Sequence, residues 1–144
     1  MVEVMQVPSS AIAGIWPSVR DWLAPSVALS RGCYELDDLS FLCEHGAMQL
    51  WVAADGERVI GAVVTEITQY PRRRACRVAF AGGTDIKRWY GEADRTIEQW
   101  SRTWGCDALM AGGRRGWGKL TKGDEIGVIL WRDLDVVPGS TEVH

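Results

Sequence analysis

The residues Ala81-Gly82-Gly83-Thr84-Asp85 offer the clearest opening for chemistry in this chain. An apolar run ends there and passes through two glycines into the start of a long amphipathic pattern. Backbone N–H groups in the first turn of a helix have no partner inside it, and the helix dipole adds positive character, so such a junction suits an anionic ligand. The same glycine pair is also an ordinary way to end a strand. Glu66 is a second feature, a lone carboxylate in an apolar stretch from Val59 to Ile67. A third is the glycine-rich basic segment Gly112-Gly113-Arg114-Arg115-Gly116-Trp117-Gly118-Lys119. A tryptophan beside arginines, Arg114, Arg115 and Trp117, has the composition of a protein-docking surface. It could also stack on bases, but the net charge of −3 gives no general attraction to nucleic acid.

Other chemistry is poorly supplied. The four cysteines, Cys33, Cys43, Cys76 and Cys106, show no CxxC spacing, and each lies in or beside an apolar segment. They read as reduced core thiols. The only histidines are His45 and His144, so a zinc site or a Ser-His-Asp triad has little to draw on, and no metal is expected. The chain of 144 residues, 47% hydrophobic and 24% charged, is one domain's worth of ordinary globular composition. No apolar run approaches the roughly 20 residues of a membrane span. The opening Met-Val-Glu-Val lacks the basic start and apolar core of a signal peptide, which points to a cytoplasmic protein.

The elements that would position these residues follow from periodicity. Val2 to Val7 alternates as a short strand does. Ile12, Ile15, Trp16, Val19, Trp22 and Leu23 recur at helical spacing, predicting a helix over about 10–24 that Pro17 kinks or splits and Pro25-Ser26 ends. Leu36, Leu39, Leu42 and Cys43 predict a second helix from Asp37 or Asp38 to Gly46. Met48–Ala54 and Arg58–Tyr70 read as strands joined by an Asp55-Gly56 hairpin turn. The second is apolar enough to be covered on both faces. Pro71-Arg-Arg-Arg74 turns the chain into a third strand, Ala75–Ala81. Ile86, Trp89, Tyr90, Ala93, Ile97, Trp100 and Trp104 form one apolar helical stripe, weakened in its middle by Gly91. Strands over 107–111 and 125–134 complete the pattern. Of the eight tryptophans, Trp16, Trp22, Trp51, Trp100 and Trp131 fall on expected core faces, while Trp89, Trp104 and Trp117 are not assigned there.

This order resembles the GCN5-related N-acetyltransferase (GNAT) fold: a strand, two helices, a three-strand meander, a long helix, a strand, a short helix and a last strand. The resemblance covers residues 1–134 as a single domain and leaves 135–144 as a C-terminal tail. It implies an α/β (α+β) architecture with a mixed sheet of about six strands, an antiparallel meander followed by a βαβ-type half, and helices on both faces. It further implies an acetyl-CoA-dependent N-acetyltransferase acting on an unknown amine. In that family the cofactor lies where the meander's last strand splays from the next. By position, Val78, Ala79 and Phe80 would face the pantetheine arm, Gly82, Gly83 and Thr84 would form the phosphate loop, and Lys87 or Arg88 would add charge. The family's loop usually reads Arg/Gln-x-x-Gly-x-Gly/Ala, and this chain has Ala81-Gly-Gly-Thr-Asp85 in its place. Glu66 would be the base that accepts the amine's proton. Where the family often supplies an acidic tyrosine, this chain has Trp117, with Tyr70 and Tyr90 as the alternatives.

The small, tryptophan-rich chain is also similar to short GNAT-like proteins of tailed bacteriophages. That similarity implies an alternative: a non-catalytic structural or accessory protein, in the host cytoplasm or the virion, acting through protein contacts with a phage partner or its own copies.

Overall fold

The computed structural model describes residues 1–112 and 123–135. Its elements run β1 (Val2–Gln6), a 3-10 turn (Ser9–Ala11), α1 (Ile12–Ala28), α2 (Leu36–Glu44), β2 (Gln49–Asp55), β3 (Arg58–Gln69), β4 (Arg74–Gly83), α3 (Ile86–Thr103) and β5 (Ala108–Ala111). The five strands form one sheet in sequence order. β1 to β4 are antiparallel neighbours, and β5 joins β4 in parallel after the α3 crossover. None of the described helices is long and apolar enough to cross a membrane.

The sheet has a core on each face. On one, Ile12, Trp16, Val19, Leu23 and Val27 of α1 and Leu39 and Cys43 of α2 pack on Leu50, Val52, Ala62, Val64 and Phe80. On the other, Trp89, Ala93 and Ile97 of α3 meet Trp51, Ala53, Ile60, Val63 and Cys76. β3 lies between the two layers, which explains why its sequence does not alternate. A buried chain of hydrogen bonds crosses the second layer: Trp51 Nε1–H donates to Thr65 Oγ1 at 3.0 Å, and Thr65 donates to Gln49 at 2.9 Å.

Several expectations are corrected. α1 runs on through Pro25 to Ala28. Proline removes one internal hydrogen bond, but Leu23 and Val27, on either side of it, are buried against the sheet and hold the helix on course. β4 continues to Gly83, two residues beyond its expected end. Residues 123–135 carry no strand, and Ile126, Val128, Ile129, Leu130 and Leu134 are exposed. Strand propensity forms no strand until a ladder partner supplies the hydrogen bonds. Trp131 is therefore 47% exposed, whereas Trp89 is fully buried. Trp89 lies across Gly61, where an added Cβ would come within 2.4 Å of its ring. Cys33 is exposed, and the other three cysteines are buried. The expected tail lies outside the described residues after Asp135.

Candidate active site at the divergence of β4 and β5

β4 pairs with β5 only over Ala75↔Ala108 to Val78↔Ala111. On its other edge, Thr65 faces Val78 and Val64 faces Phe80, so Ala79 is an extra residue. Such a bulge bends and twists the strand that carries it. It falls one residue past the last β4–β5 rung. Beyond it, 79–83 keep β3 on one edge and have no strand on the other among the described residues. Ala81 N–H there reaches Ser26 Oγ of α1 at 3.4 Å.

The side chains of the three expected pantetheine residues point into the cores. Phe80 is buried, Ala79 packs with it against α1, and Val78 packs toward α3. What they offer a ligand is backbone. Gly82 and Gly83 are rungs of the sheet, opposite Ala62 and Gly61, and do not form a loop. A Cβ on Gly82 would sit 1.9 Å from the Trp22 carbonyl oxygen, so this glycine lets α1 press onto β4. One on Gly83, whose φ is +150°, would sit 2.4 Å from Ile60 O.

The loop is therefore only Thr84 and Asp85. Thr84 N–H donates to Ile60 O at 2.8 Å, and its carbonyl accepts Trp89 Nε1–H at 2.9 Å. Asp85 adopts a left-handed conformation, φ +49°, at the N-cap position of α3, and its side chain makes no capping hydrogen bond. Lys87 is exposed and has no ion pair among the described residues. Arg88 is turned away, donating to Asp55 at 2.7 Å beside the N-terminal ammonium at 3.4 Å. The Arg88 hydrogen bond, assisted by that ammonium, holds the Asp55 carboxyl below its ordinary value.

Glu66 pairs across the strands with Arg77, Oε1 to the guanidinium at 3.0 Å, each about a third exposed. Burial works against the Arg77 charge, but Glu66 and Tyr34 outweigh it and hold the guanidinium above the ordinary arginine value. The Tyr34 ring meets Phe80 edge-on at 5.2 Å. Glu66, Arg77 and Tyr34 thus bracket the bulge on the α1 side of the sheet. Tyr70 donates instead to Met110 Sδ at 3.5 Å. Tyr90 lies on α3, where burial and then Asp94 push its phenol up. His45 stacks on Phe41 at the end of α2. No cluster of three or more metal-ligand side chains occurs among the described residues. Arg114, Arg115 and Trp117 lie outside the described residues.

Sequence reasoning passed over Arg77 and Tyr34. Counting back three rungs from Gln69↔Arg74 at the turn would have placed Arg77 opposite Glu66. Nothing local marks Tyr34, which reaches the bulge only because the α1–α2 connection folds over it. A cavity of about 520 Å³ lined by Ser18, Asp21, Trp22, Glu57 and Val59 opens on the α1 side at the start of β3. Its two carboxylates make it a poor seat for phosphate.

No protein-family model and no curated protein matches the chain. Solved structures do. An aminoglycoside acetyltransferase from an uncultured soil metagenomic sample, crystallised with sisomicin, aligns with a TM-score of 0.67 at 12% identity, covering 93% of this chain and 97% of that one. The ribosomal-protein-alanine N-acetyltransferase of Brucella melitensis biovar Abortus 2308 aligns at 0.60 and 16% identity, covering 92% and 99%. AAC(6')-Iy, in complex with the bisubstrate analog CoA-S-monomethyl-acetylneamine, aligns at 0.64 and 15%, covering 94% and 99%. The chain has a GNAT-like fold, and at these identities the likeness is one of fold alone.

Proposed function

We propose that the chain is an acyltransferase that moves an acetyl group from acetyl-CoA to an amine, with the donor lying along the open edge of β4. The observation that carries this reading is the divergence at Ala79, which exposes strand backbone leading directly to the α3 N-terminus. The 79–83 edge suits an extended arm that hydrogen-bonds to backbone. The first-turn N–H groups of α3 and the Lys87 ammonium suit phosphates, while the Asp85 carboxylate opposes them. The group fits the edge better than it fits the loop. The likeness to acetyltransferases, one solved with a CoA-containing analog, supports the same reading.

Acetyl-CoA supplies the activated acyl carbon. From about 84 to 79 is roughly 16 Å of strand, which brings the acyl end of an arm anchored at α3 to the bulge. Glu66 Oε accepts the amine's proton there, oriented by Arg77. Tyr34 Oη holds the proton that the departing sulfur requires, with the Arg77 guanidinium beside it.

Calorimetric titration with acetyl-CoA tests the donor site. Micromolar binding is expected, about tenfold weaker in Lys87→Glu, which corresponds to about 1.4 kcal/mol. No heat and no thermal shift at millimolar donor would end the reading. If donor binds, mass spectrometry of an aminoglycoside and an alanine-terminated peptide incubated with acetyl-CoA tests transfer. Glu66→Gln should then slow transfer by roughly 10²–10⁴ with donor affinity unchanged.

A second reading is a non-catalytic GNAT-like module that acts through protein contacts. It is favoured by the exposed apolar side chains between Ile126 and Leu134. A folded protein that ignores acetyl-CoA would shift the balance to it.

A further inference from the structure

The acyl donor has two ends, an uncharged arm and a phosphorylated nucleotide, and the chain meets them unequally. Along an antiparallel strand, alternate residues turn their N–H and C=O groups to the partner. Thr84 N–H goes to Ile60 O of β3 at 2.8 Å, so Gly83 and Ala81 turn theirs to the other edge of β4. Ala81 N–H already holds an oxygen there, Ser26 Oγ at 3.4 Å. That oxygen lies where the amide carbonyl of an extended arm would go. Pantetheine carries amides and no charge, and a strand edge binds such a chain through main-chain groups alone.

The phosphate end is poorer in donors. Gly82 and Gly83 are held in the sheet, Thr84 N–H is spent on β3, and Arg88 N–H is spent on Asp85 O at 2.8 Å. The geometry of a helix start leaves the N–H groups of Ile86 and Lys87.

It is poorer still in charge. The Asp85 carboxylate is exposed at the N-cap position and makes no capping bond. The Arg88 guanidinium is drawn off to Asp55. On the α1 side, Trp22, whose carbonyl abuts Gly82, lines a cavity with Asp21 and Glu57, and the nearby Arg20 is paired with Asp21 at 3.5 Å. Lys87 is the cation left without a carboxylate at this helix start among the described residues. Acetyl-CoA brings roughly four negative charges to this end, about two of them on its terminal phosphomonoester. One ammonium at a helix start matches a single phosphate.

We propose that the site recognises its donor by the pantetheine arm and one phosphate, and draws no affinity from the rest of the nucleotide. The donor class is then an S-acyl 4′-phosphopantetheine. Acetyl-CoA is one bearer of that arm, and a carrier protein joined to it through a phosphodiester is another. The assignment rests on the acyl-transfer reading above, and the step is the same on every bearer. The amine nitrogen bonds to the acyl carbon, and the carbon–sulfur bond breaks. Glu66 takes the amine's proton, and the sulfur leaves as a thiol with the proton from Tyr34.

Calorimetric titration of the full chain with acetyl-pantetheine, acetyl-4′-phosphopantetheine and acetyl-CoA, in wild type and in Asp85→Asn, tests the proposal. Kd for acetyl-4′-phosphopantetheine should lie within about tenfold of that for acetyl-CoA. Asparagine tolerates the left-handed conformation and removes the carboxylate, so Asp85→Asn should tighten acetyl-CoA about fivefold and leave acetyl-pantetheine unchanged. A carrier protein loaded with the acetylated arm separates the bearers. Binding tighter than that of the free phosphorylated arm makes the carrier the source, weaker or equal binding makes it the small donors, and both uphold recognition by the arm. Acetyl-CoA that binds more than about tenfold tighter than acetyl-4′-phosphopantetheine overturns the proposal and leaves acyl transfer from acetyl-CoA standing. An Asp85→Asn change that moves acetyl-CoA and acetyl-pantetheine alike, or moves neither, overturns it equally. Silence toward every donor ends the acyl-transfer reading and this assignment together.

Discussion

Gly82→Ala separates two reasons for a glycine at this position. If Gly82 belonged to a phosphate loop, alanine would weaken acetyl-CoA binding and leave stability nearly intact. The structure places it in the sheet, where the new Cβ would meet the Trp22 carbonyl oxygen at 1.9 Å and its carbon at 2.9 Å. Ordinary contact begins near 3.4 Å, so α1 and β4 must part by about 1.5 Å. The obstructing atoms are backbone and cannot rotate aside. α1 also carries Ile12, Trp16, Val19, Leu23 and Val27 into the core, and all of them would shift with it. Overpacking usually costs about 1–3 kcal/mol, and a rigid obstacle argues for the upper end. At roughly 3–5 °C per kcal/mol for a domain of this size, Tm should fall by about 10–15 °C. Urea unfolding and thermal melts measure this directly, and calorimetry well below Tm reads donor affinity. Gly91→Ala is the control. The nearest atom to its added Cβ is the flexible Arg95 Nη1 at 3.9 Å, so mid-helix alanine should stabilise by about 0.5–1 kcal/mol. A Gly82→Ala protein that melts within 2 °C of wild type, by rough comparison with those shifts, would refute the packing argument.

Thr65→Val removes the hydroxyl that links Trp51 to Gln49. The buried indole N–H then lacks a partner, and urea unfolding should show a loss of about 1–3 kcal/mol. Thiol titration of the native protein should find one fast-reacting cysteine, Cys33, and four in denaturant. Burial pushes the Cys43 thiol up to about 12 and raises Cys76, so neither supplies thiolate at neutral pH. Asp55 is held below its ordinary 3.8, so its contribution is complete above that value and is lost as pH falls through the lower folded value. Asp55→Asn should therefore be less stable than wild type at pH 7, and the gap should close in acid unfolding below pH 3.8.

Much of the architecture is legible in the chain because it depends on periods of two and of three to four residues. Those patterns mark the meander, the long α3 stripe and the two-sided burial of β3, and their order implies the fold. The Asp55-Gly56 turn is legible in the same local way, whereas the Glu66–Arg77 rung needs the Gln69↔Arg74 register that the folded turn sets. What stayed hidden depends on how closely separate elements approach. Gly82 reads as a loop residue until Trp22, sixty positions earlier, is seen against it. Arg88 reads as a phosphate ligand until Asp55 claims it. The bulge at Ala79 comes from fitting β4 to β3 and is absent from any pattern within β4 itself. Residues 125–134 have the composition of a strand, but composition does not provide a neighbouring edge. Local sequence sets which conformation each segment prefers. Only tertiary packing decides which backbone groups are left open at the divergence of β4 and β5, because each hydrogen bond there depends on two segments at once.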